Sequence, residues 1–220
     1  QMSAGIQYYI SAVAGNGLPN GNVDLTDLCL SVAPGTPIIF YPLPTLNISG
    51  TTAVCAGQSA DVTISVTGTG PFEVVYLANG VLQPILNVPQ PGSFTLEVQP
   101  NMTTTYTLVS ITDVASGCEN TSTQSATITV NQPVEAGTAN GNLEFCDDED
   151  PVIDLMAQLT GAQSGGQWTQ NGSPVSGSTV NASTLAAGTY TYTYTMDAVA
   201  PCADDQASFT VTIHPQPVAD

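Results

Sequence analysis

The chain has 220 residues, of which 18 are acidic, one is histidine and none is lysine or arginine, for a formal net charge of −18. Without basic side chains there is no patch for nucleic acid or an anionic membrane surface, no trypsin-type cleavage site and no Lys or Arg salt bridge. The low charged fraction (8%) beside 42% hydrophobic residues argues against disorder, and no apolar run reaches the roughly 18 residues needed to cross a bilayer.

Strand signals follow one another along the whole chain. Alternating or β-branched runs predict strands at 7–13, 37–41, 60–67, 72–77, 93–98, 104–112, 126–130, 189–196 and 208–213, separated by Gly, Asn and Pro. Asn79-Gly80 and Asn171-Gly172 predict tight hairpin turns, because a type I′ turn needs positive φ at both central positions. The one stretch with helical character is 152–159, after Pro151. The start at Gln1 lacks a basic leader region, so the chain reads as an internal or processed piece.

A repeat emerges when the cysteines are used as rulers. Pro44, Pro133 and Pro217 each lie fifteen residues after a cysteine, namely Cys29, Cys118 and Cys202. Tyr106 and Tyr190 lie twelve before Cys118 and Cys202, and Asp113 and Asp197 lie five before them. The Tyr76 to Gly80 segment matches Trp168 to Gly172. The strand phase slips by one residue near Val130. These offsets divide the chain into the end of one domain (1–44), a complete domain (45–133), a second complete domain with an acidic loop (134–217), and the start of a further linker or domain (218–220). Units of this size with about seven short strands predict an all-β architecture of tandem immunoglobulin-like sandwiches joined by short Pro-containing linkers. Trp168, Tyr76, Tyr106 and Tyr190 are then core aromatics.

Each complete domain carries an early and a late cysteine, which predicts the disulfides Cys55–Cys118 and Cys146–Cys202 and leaves Cys29 with a partner in the missing part of its domain. The cysteines fall near loops, unlike the core disulfide of antibody domains; the alternative is free, buried thiols. Disulfides imply an oxidising, extracellular setting.

Several segments resemble a known class of repeats. Thr51-Thr-Ala-Val-Cys-Ala-Gly-Gln-Ser59, Gly68-Thr-Gly-Pro-Phe72, Thr103-Thr-Thr-Tyr-Thr-Leu108, the Asp113 to Cys118 interval and Thr127-Ile-Thr-Val-Asn-Gln-Pro133 resemble repeats of very large secreted proteins of Bacteroidota. Phe145-Cys-Asp-Asp-Glu-Asp-Pro151 and Ala187-Gly-Thr-Tyr-Thr-Tyr192 resemble a second repeat type of the same proteins, the gliding-motility adhesins of the SprB kind. The resemblance implies type IX secretion, a place on the bacterial cell surface, and adhesion or motility in a fibre-like array.

Candidate chemistry is sparse. Asp147, Asp148, Glu149 and Asp150 form the densest acidic run, and Asp204 and Asp205 follow Cys202; a Cys146–Cys202 bond would bring the two groups together as oxygen ligands for Ca²⁺. The competing reading is a solvated acidic loop, with an Asp capping a short helix near Pro151. Asp24 and Asp27 form a weaker candidate. His214, the only histidine, lies in a Pro-flanked linker, and paired cysteines offer no nucleophile, so catalysis is not expected. Expected partners are neighbouring repeats, surface glycans or other copies in a filament, with no nucleic acid and no membrane insertion. The expected function is a structural or adhesive segment; the alternative is a polysaccharide- or ligand-binding module or a filament subunit.

Overall fold

A computed structural model describes residues 2–15, 17–26, 29–50 and 52–216. Asp27, Pro217 and 218–220, to which the sequence assigned a weak cation site and the next linker, lie outside the described residues. The architecture is all-β, and its only helical turns among the described residues are the 3-10 turns Met156–Gln158 and Ala182–Thr184. The helical turn expected around 152–159 is the tight turn Met156–Gln158, preceded by a short strand. Asp154 caps it, its Oδ1 accepting from the Met156 and Ala157 amides at 3.0 and 3.4 Å.

The chain opens on a hairpin. Strands β1 (Gln7–Ile10) and β4 (Thr36–Ile39) pair antiparallel, and β2 (Val13–Ala14) pairs with β3 (Ser31–Val32) further along. Its large apolar side chains, among them Tyr9, Ile10, Val32 and Ile39, are exposed.

The first sandwich contains β5 (Thr45–Ser49), β6 (Thr52–Cys55), β7 (Ala60–Thr67), β8 (Phe72–Ala78), β9 (Val81–Leu82), β10 (Leu86–Val88), β11 (Gly92–Val98), β12 (Thr104–Asp113), β13 (Cys118–Thr121) and β14 (Ser125–Asn131). One sheet has the order β11-β7-β5; the other runs β10-β8-β12-β14-β6, with β9 beside β8 and β13 beside β12. The edge strand β6 pairs parallel with β14, whereas β5, a few residues earlier, pairs antiparallel with β7 in the opposite sheet. This switch of the first strand from one sheet to the other, with the parallel pairing it produces, is a mark of immunoglobulin-like domains. Period-2 alternation buries one face of each strand: Val62, Ile64 and Val66 on β7, Phe72 and Val74 on β8, Leu108 and Ile111 on β12, and Ile128 on β14 are all within 1% of full burial.

The second sandwich repeats the plan with β15 (Thr138–Ala139), β16 (Leu143–Cys146), β17 (Val152–Asp154), β18 (Leu159–Thr160), β19 (Gln167–Gln170), β20 (Ser173–Val175), β21 (Thr179–Asn181), β22 (Gly188–Met196) and β23 (Asp205–His214). Its larger sheet has the order β16-β23-β22-β19-β20, and β16 again pairs parallel with the last strand. Shorter pairs, β15–β18 and β17–β21, supply Leu159 and Ile153 to a core that also holds Leu155, Trp168, Tyr192, Tyr194, Phe209, Val211 and Ile213. By compactness the chain divides into two units, one of residues 1–49, 63–96 and 106–126, the other of 50–62, 97–105 and 127–220.

Both predicted hairpin turns form. Asn79 and Gly80 have φ of 47° and 79°, and Asn171 and Gly172 have 48° and 81°, closing β8 onto β9 and β19 onto β20. Asn and Gly are the residues that tolerate this left-handed backbone, which is why the dipeptide is a turn signal.

Asp113, at the end of β12, is 1% exposed. Its Oδ2 accepts from the Thr69 and Gly70 amides at 2.8 and 3.2 Å, and its Oδ1 from Ser116 at 3.3 Å. Burial alone would raise the carboxyl's pKa. The amides of Thr69, Gly70, Ser116 and Ala115 outweigh it and hold the pKa below the ordinary aspartate value of 3.8. A group whose pKa is depressed by folding stabilises the fold above its unfolded value, and that stabilisation disappears as pH falls through the folded one. Asp113→Ala should cost about 1–3 kcal/mol near neutral pH, because it strips the acceptor from buried amides. The gap between the urea midpoints of wild type and variant should narrow as pH is taken below about 4; a gap that stays constant with pH would refute the ionic role of Asp113.

Candidate functional site

The most constrained site lies in the second unit, where the end of β6 meets the turn between β22 and β23. Cys55, the last residue of β6, forms a disulfide with Cys202 of that turn, their Cα atoms 5.0 Å apart. The bond therefore joins the first sandwich to the second. The sequence expectation of Cys55–Cys118 and Cys146–Cys202 bonds inside each domain is corrected: the Cys118 and Cys146 thiols are not in disulfides, Cys118 half-buried and Cys146 exposed. The reason is topological. The early cysteine ends an edge strand at one pole of its sandwich. The late cysteine follows the long strand β12 or β22, Cys118 as the first residue of β13 and Cys202 in the turn before β23. Each strand carries the chain several residues along the sandwich, so the two cysteines of one domain fall at different places.

Asn131 closes the junction from the strand beside Cys55. It is the register partner of Cys55 in the β14–β6 ladder, and its backbone carbonyl accepts from the Ala56 amide at 2.9 Å. Its Nδ2 donates to the Ala200 carbonyl at 2.6 Å, while the Cys202 Sγ lies 3.4 Å from its own carbonyl. Ala53, Val54, Cys55 and Gln58 wall a hollow of about 500 Å³ against which Pro201, Cys202 and Ala203 sit. A loop of 147 residues is closed by the bond, which in the chain-entropy treatment stabilises the folded pair by about 5 kcal/mol.

The acidic groups do not converge. The carboxylates at 147–150 lie beyond β16, whose last residue, Cys146, is in register with His214 at the far end of β23; Asp204 and Asp205 lie at the near end, where Asp205 pairs with Met196. Nine steps of strand at roughly 3.3 Å separate the two groups by about 30 Å. Four of the six acids already accept hydrogen bonds: Asp148 from the Gln216 side chain, Glu149 from the Cys146 amide, Asp204 from the Ala198 amide and Asp205 from the Ala136 amide. The Ca²⁺ constellation expected of them rested on the Cys146–Cys202 bond and goes with it. Among the described residues no group of three or more His, Cys, Asp or Glu side chains is placed to hold a metal ion. Asp24, the described half of the weaker candidate, accepts instead from Thr26, from the hydroxyl at 2.6 Å and the amide at 2.9 Å, and these bonds lower its pKa.

The four aromatic residues expected in the cores lie there. Tyr76 and Tyr106 are buried, and desolvation raises the pKa of both phenols, Tyr106 also feeling Tyr76. Trp168 is 5% exposed, with its ring centroid 4.9 Å from Tyr194 and 5.9 Å from Phe209. Tyr190 is half-buried and packs on the same core, its hydroxyl donating to the Ala186 carbonyl at 2.9 Å, four residues upstream. Such a tyrosine corner ties the start of a strand to the preceding turn in immunoglobulin-like domains. A cleft of about 500 Å³ opens beside Met156, Gln167, Trp168, Val175 and Tyr194, but the burial of Trp168 leaves little of its ring to stack on a sugar.

Sequence reasoning missed Asn131 as a junction residue. Its signal was the β14 strand end just before the Pro133 linker, a place that reads as a connection and not as a contact.

No protein-family profile matches the chain, and no curated protein does. Among solved structures, similar ones are the titin I-band fragment I67–I69 (16% identity, TM-score 0.43, 78% of this chain and 66% of that one) and an E-to-A mutated variant of the same three titin domains (16%, 0.44, 80% and 67%). Sidekick-1 immunoglobulin domains 1–4 are similar over 81% of this chain and 49% of theirs, at 10% identity and a TM-score of 0.37. The chain thus spans about two thirds of the titin fragments' length and about half of the Sidekick-1 structure.

Proposed function

We propose that this chain is a mechanical spacer: a run of tandem immunoglobulin-like modules in a long extracellular protein of the bacterial cell surface, serving adhesion, gliding motility or a surface filament. The observation that carries this reading is the Cys55–Cys202 bond, which ties the edge strand of one sandwich to the last hairpin of the next. The bond limits how far two neighbours can separate, which is useful to a chain under tension.

Other features support the reading. Disulfides persist in oxidising compartments outside the cytosol. The lack of Lys and Arg removes every trypsin-type site, an advantage for a chain exposed to secreted proteases. The resemblance of both repeat types to giant Bacteroidota surface proteins favours type IX export and a role in motility. The exposed apolar face of the opening hairpin fits the last two strands of a preceding module. Its partners, on this reading, are first of all its neighbouring modules, with surface glycans or further copies beyond them. The reading assigns no enzymatic step to His214, which is exposed at a strand end, pairs with Glu144 at 3.2 Å and stands in register with the exposed Cys146 thiol. Fold alone does not fix such a role, so the test is made on cells. Antibody against residues 45–217 should label intact cells that produce the protein. Cys202→Ser should leave the amount on the surface unchanged and lower the shear at which the cells detach. Labelling only of broken cells, or unchanged detachment, would overturn the proposal.

A further inference from the structure

Cys146 occupies in the second sandwich the place that Cys55 occupies in the first. Each ends an edge strand paired parallel with the last strand of its sandwich, β6 with β14 and β16 with β23. In each, the residue after the cysteine donates its amide to the carbonyl of the cysteine's register partner: Ala56 to Asn131 at 2.9 Å, Asp147 to His214 at 3.0 Å. The amide three residues on returns to the cysteine's own carbonyl, from Gln58 at 2.9 Å and from Glu149 at 3.1 Å. These backbone features coincide, and one cysteine is bonded while the other is an exposed thiol.

The surroundings correspond as well. Ala53, Val54 and Gln58, which wall the hollow where the Cys202 turn is seated, have as counterparts Glu144, Phe145 and Glu149, which with Asp150 and Pro151 wall a hollow of about 480 Å³; Cys55 lines the first hollow, and Cys146 follows Phe145 at the edge of the second. Asn131, which donates to the seated turn, has as its counterpart His214, also able to donate from its ring. On the other side of the pairing, Cys118 shares with Cys202 the offsets of twelve residues from a tyrosine, five from an aspartate and fifteen to a proline. By those offsets it corresponds to the captured cysteine, although it starts β13 where Cys202 lies in a turn, and it too is a thiol outside any disulfide.

We infer that Cys146 is the acceptor half of a second inter-module disulfide, and that its partner is the cysteine in the last hairpin turn of another immunoglobulin-like module, seated in the hollow beside Glu144, Phe145 and Glu149. The inference rests on the tandem-module reading above and extends it: early cysteine to the next late cysteine becomes a rule that staples each module to its neighbour. The bond forms by exchange with a small or protein disulfide oxidant. The Cys146 thiolate displaces one oxidant sulfur to give a mixed disulfide, and the partner thiolate then displaces the other. Two thiols lose two protons and two electrons, and the oxidant leaves as two thiols.

The test is made on the protein isolated from its producing cells with a thiol-alkylating reagent present throughout, then cut under non-reducing conditions by a protease that cleaves after acidic residues. The peptide containing Cys146 should be recovered in disulfide linkage with a peptide whose cysteine is followed, about fifteen residues on, by a Pro-containing linker. Loss of half the apparent mass on reduction would identify the source as a second copy; unchanged mass would place it in the same polypeptide. Cys146 recovered alkylated, or linked to Cys118 of its own chain, would overturn the inference while leaving the surface-labelling and shear tests of the spacer role untouched. In a Cys146→Ser protein the linked peptide should vanish and the Cys55–Cys202 peptide should remain; if the partner peptide stays linked to this chain through another residue, the assignment of Cys146 fails.

Discussion

Pulled by its ends, the oxidised chain should extend about 500 Å less than the reduced chain. Cys55 and Cys202 are 147 residues apart in sequence and joined by one covalent bond. Tension entering from the N-terminal side reaches Cys55, crosses the sulfurs and leaves from Cys202. Everything between, including β7 to β14 and β15 to β22, lies outside the load path. A fully extended chain spans at most about 3.3–3.6 Å per residue, so the withheld length is about 500 Å. Single-molecule pulling with and without a thiol reductant measures it directly. Cys202→Ser should show the long extension in both conditions. Equal extensions of the wild-type chain in both conditions would mean that the bond does not carry the load.

Trp168→Ala should cost about 3–5 kcal/mol, enough to remove most of the stability of a small domain. Trp168 sits between Tyr194 and Phe209, and Phe209 stacks in turn on Tyr192 at 5.8 Å. The substitution would open a cavity beside the three remaining rings, Tyr192, Tyr194 and Phe209. Among the described residues the indole Nε1 has no hydrogen-bond partner and is buried. Trp168→Phe loses volume but no hydrogen bond, and should cost on the order of 1–2 kcal/mol, well short of the alanine change. Denaturant midpoints of the two variants decide this. If phenylalanine proves as damaging as alanine, the indole N–H has a partner that matters and the packing account is wrong. Tyr194 should respond differently, because its hydroxyl accepts from the Gly166 amide and donates to the Gln163 carbonyl, both at 2.8 Å.

Strands, turns and cores were legible in the sequence because each rests on a local signal. The run 60–67 alternates apolar and polar side chains, and β7 occupies that interval with Val62, Ile64 and Val66 inward. Asn79-Gly80 and Asn171-Gly172 carry their own stereochemistry. The cysteine pairing was not legible, because it depends on which pole of a sandwich each strand end reaches. The repeat offset also misleads by one residue on the last long strands. β12 carries a bulge between Leu108 and Ser110 that β22 lacks, so Asp113 is buried against the Thr69-Gly70 turn while Asp197, its match by counting, is exposed. A single inserted residue reverses which face a side chain takes in a strand of period two. The acidic site failed for the same reason as the disulfides, since it borrowed its geometry from them.

The bond from Cys55 to Cys202 also makes the polypeptide a ring with two tails. Cutting a ring once opens it without separating its parts. Any single proteolytic nick between residues 56 and 201, in the acidic loop after Cys146 or in the turns of either sandwich, leaves both fragments held by the sulfurs and by the sheets they share. A protein that has been nicked once therefore still connects whatever lies before Cys55 to whatever lies after Cys202, and only a second event, a reduction or a cut in one of the tails, severs it.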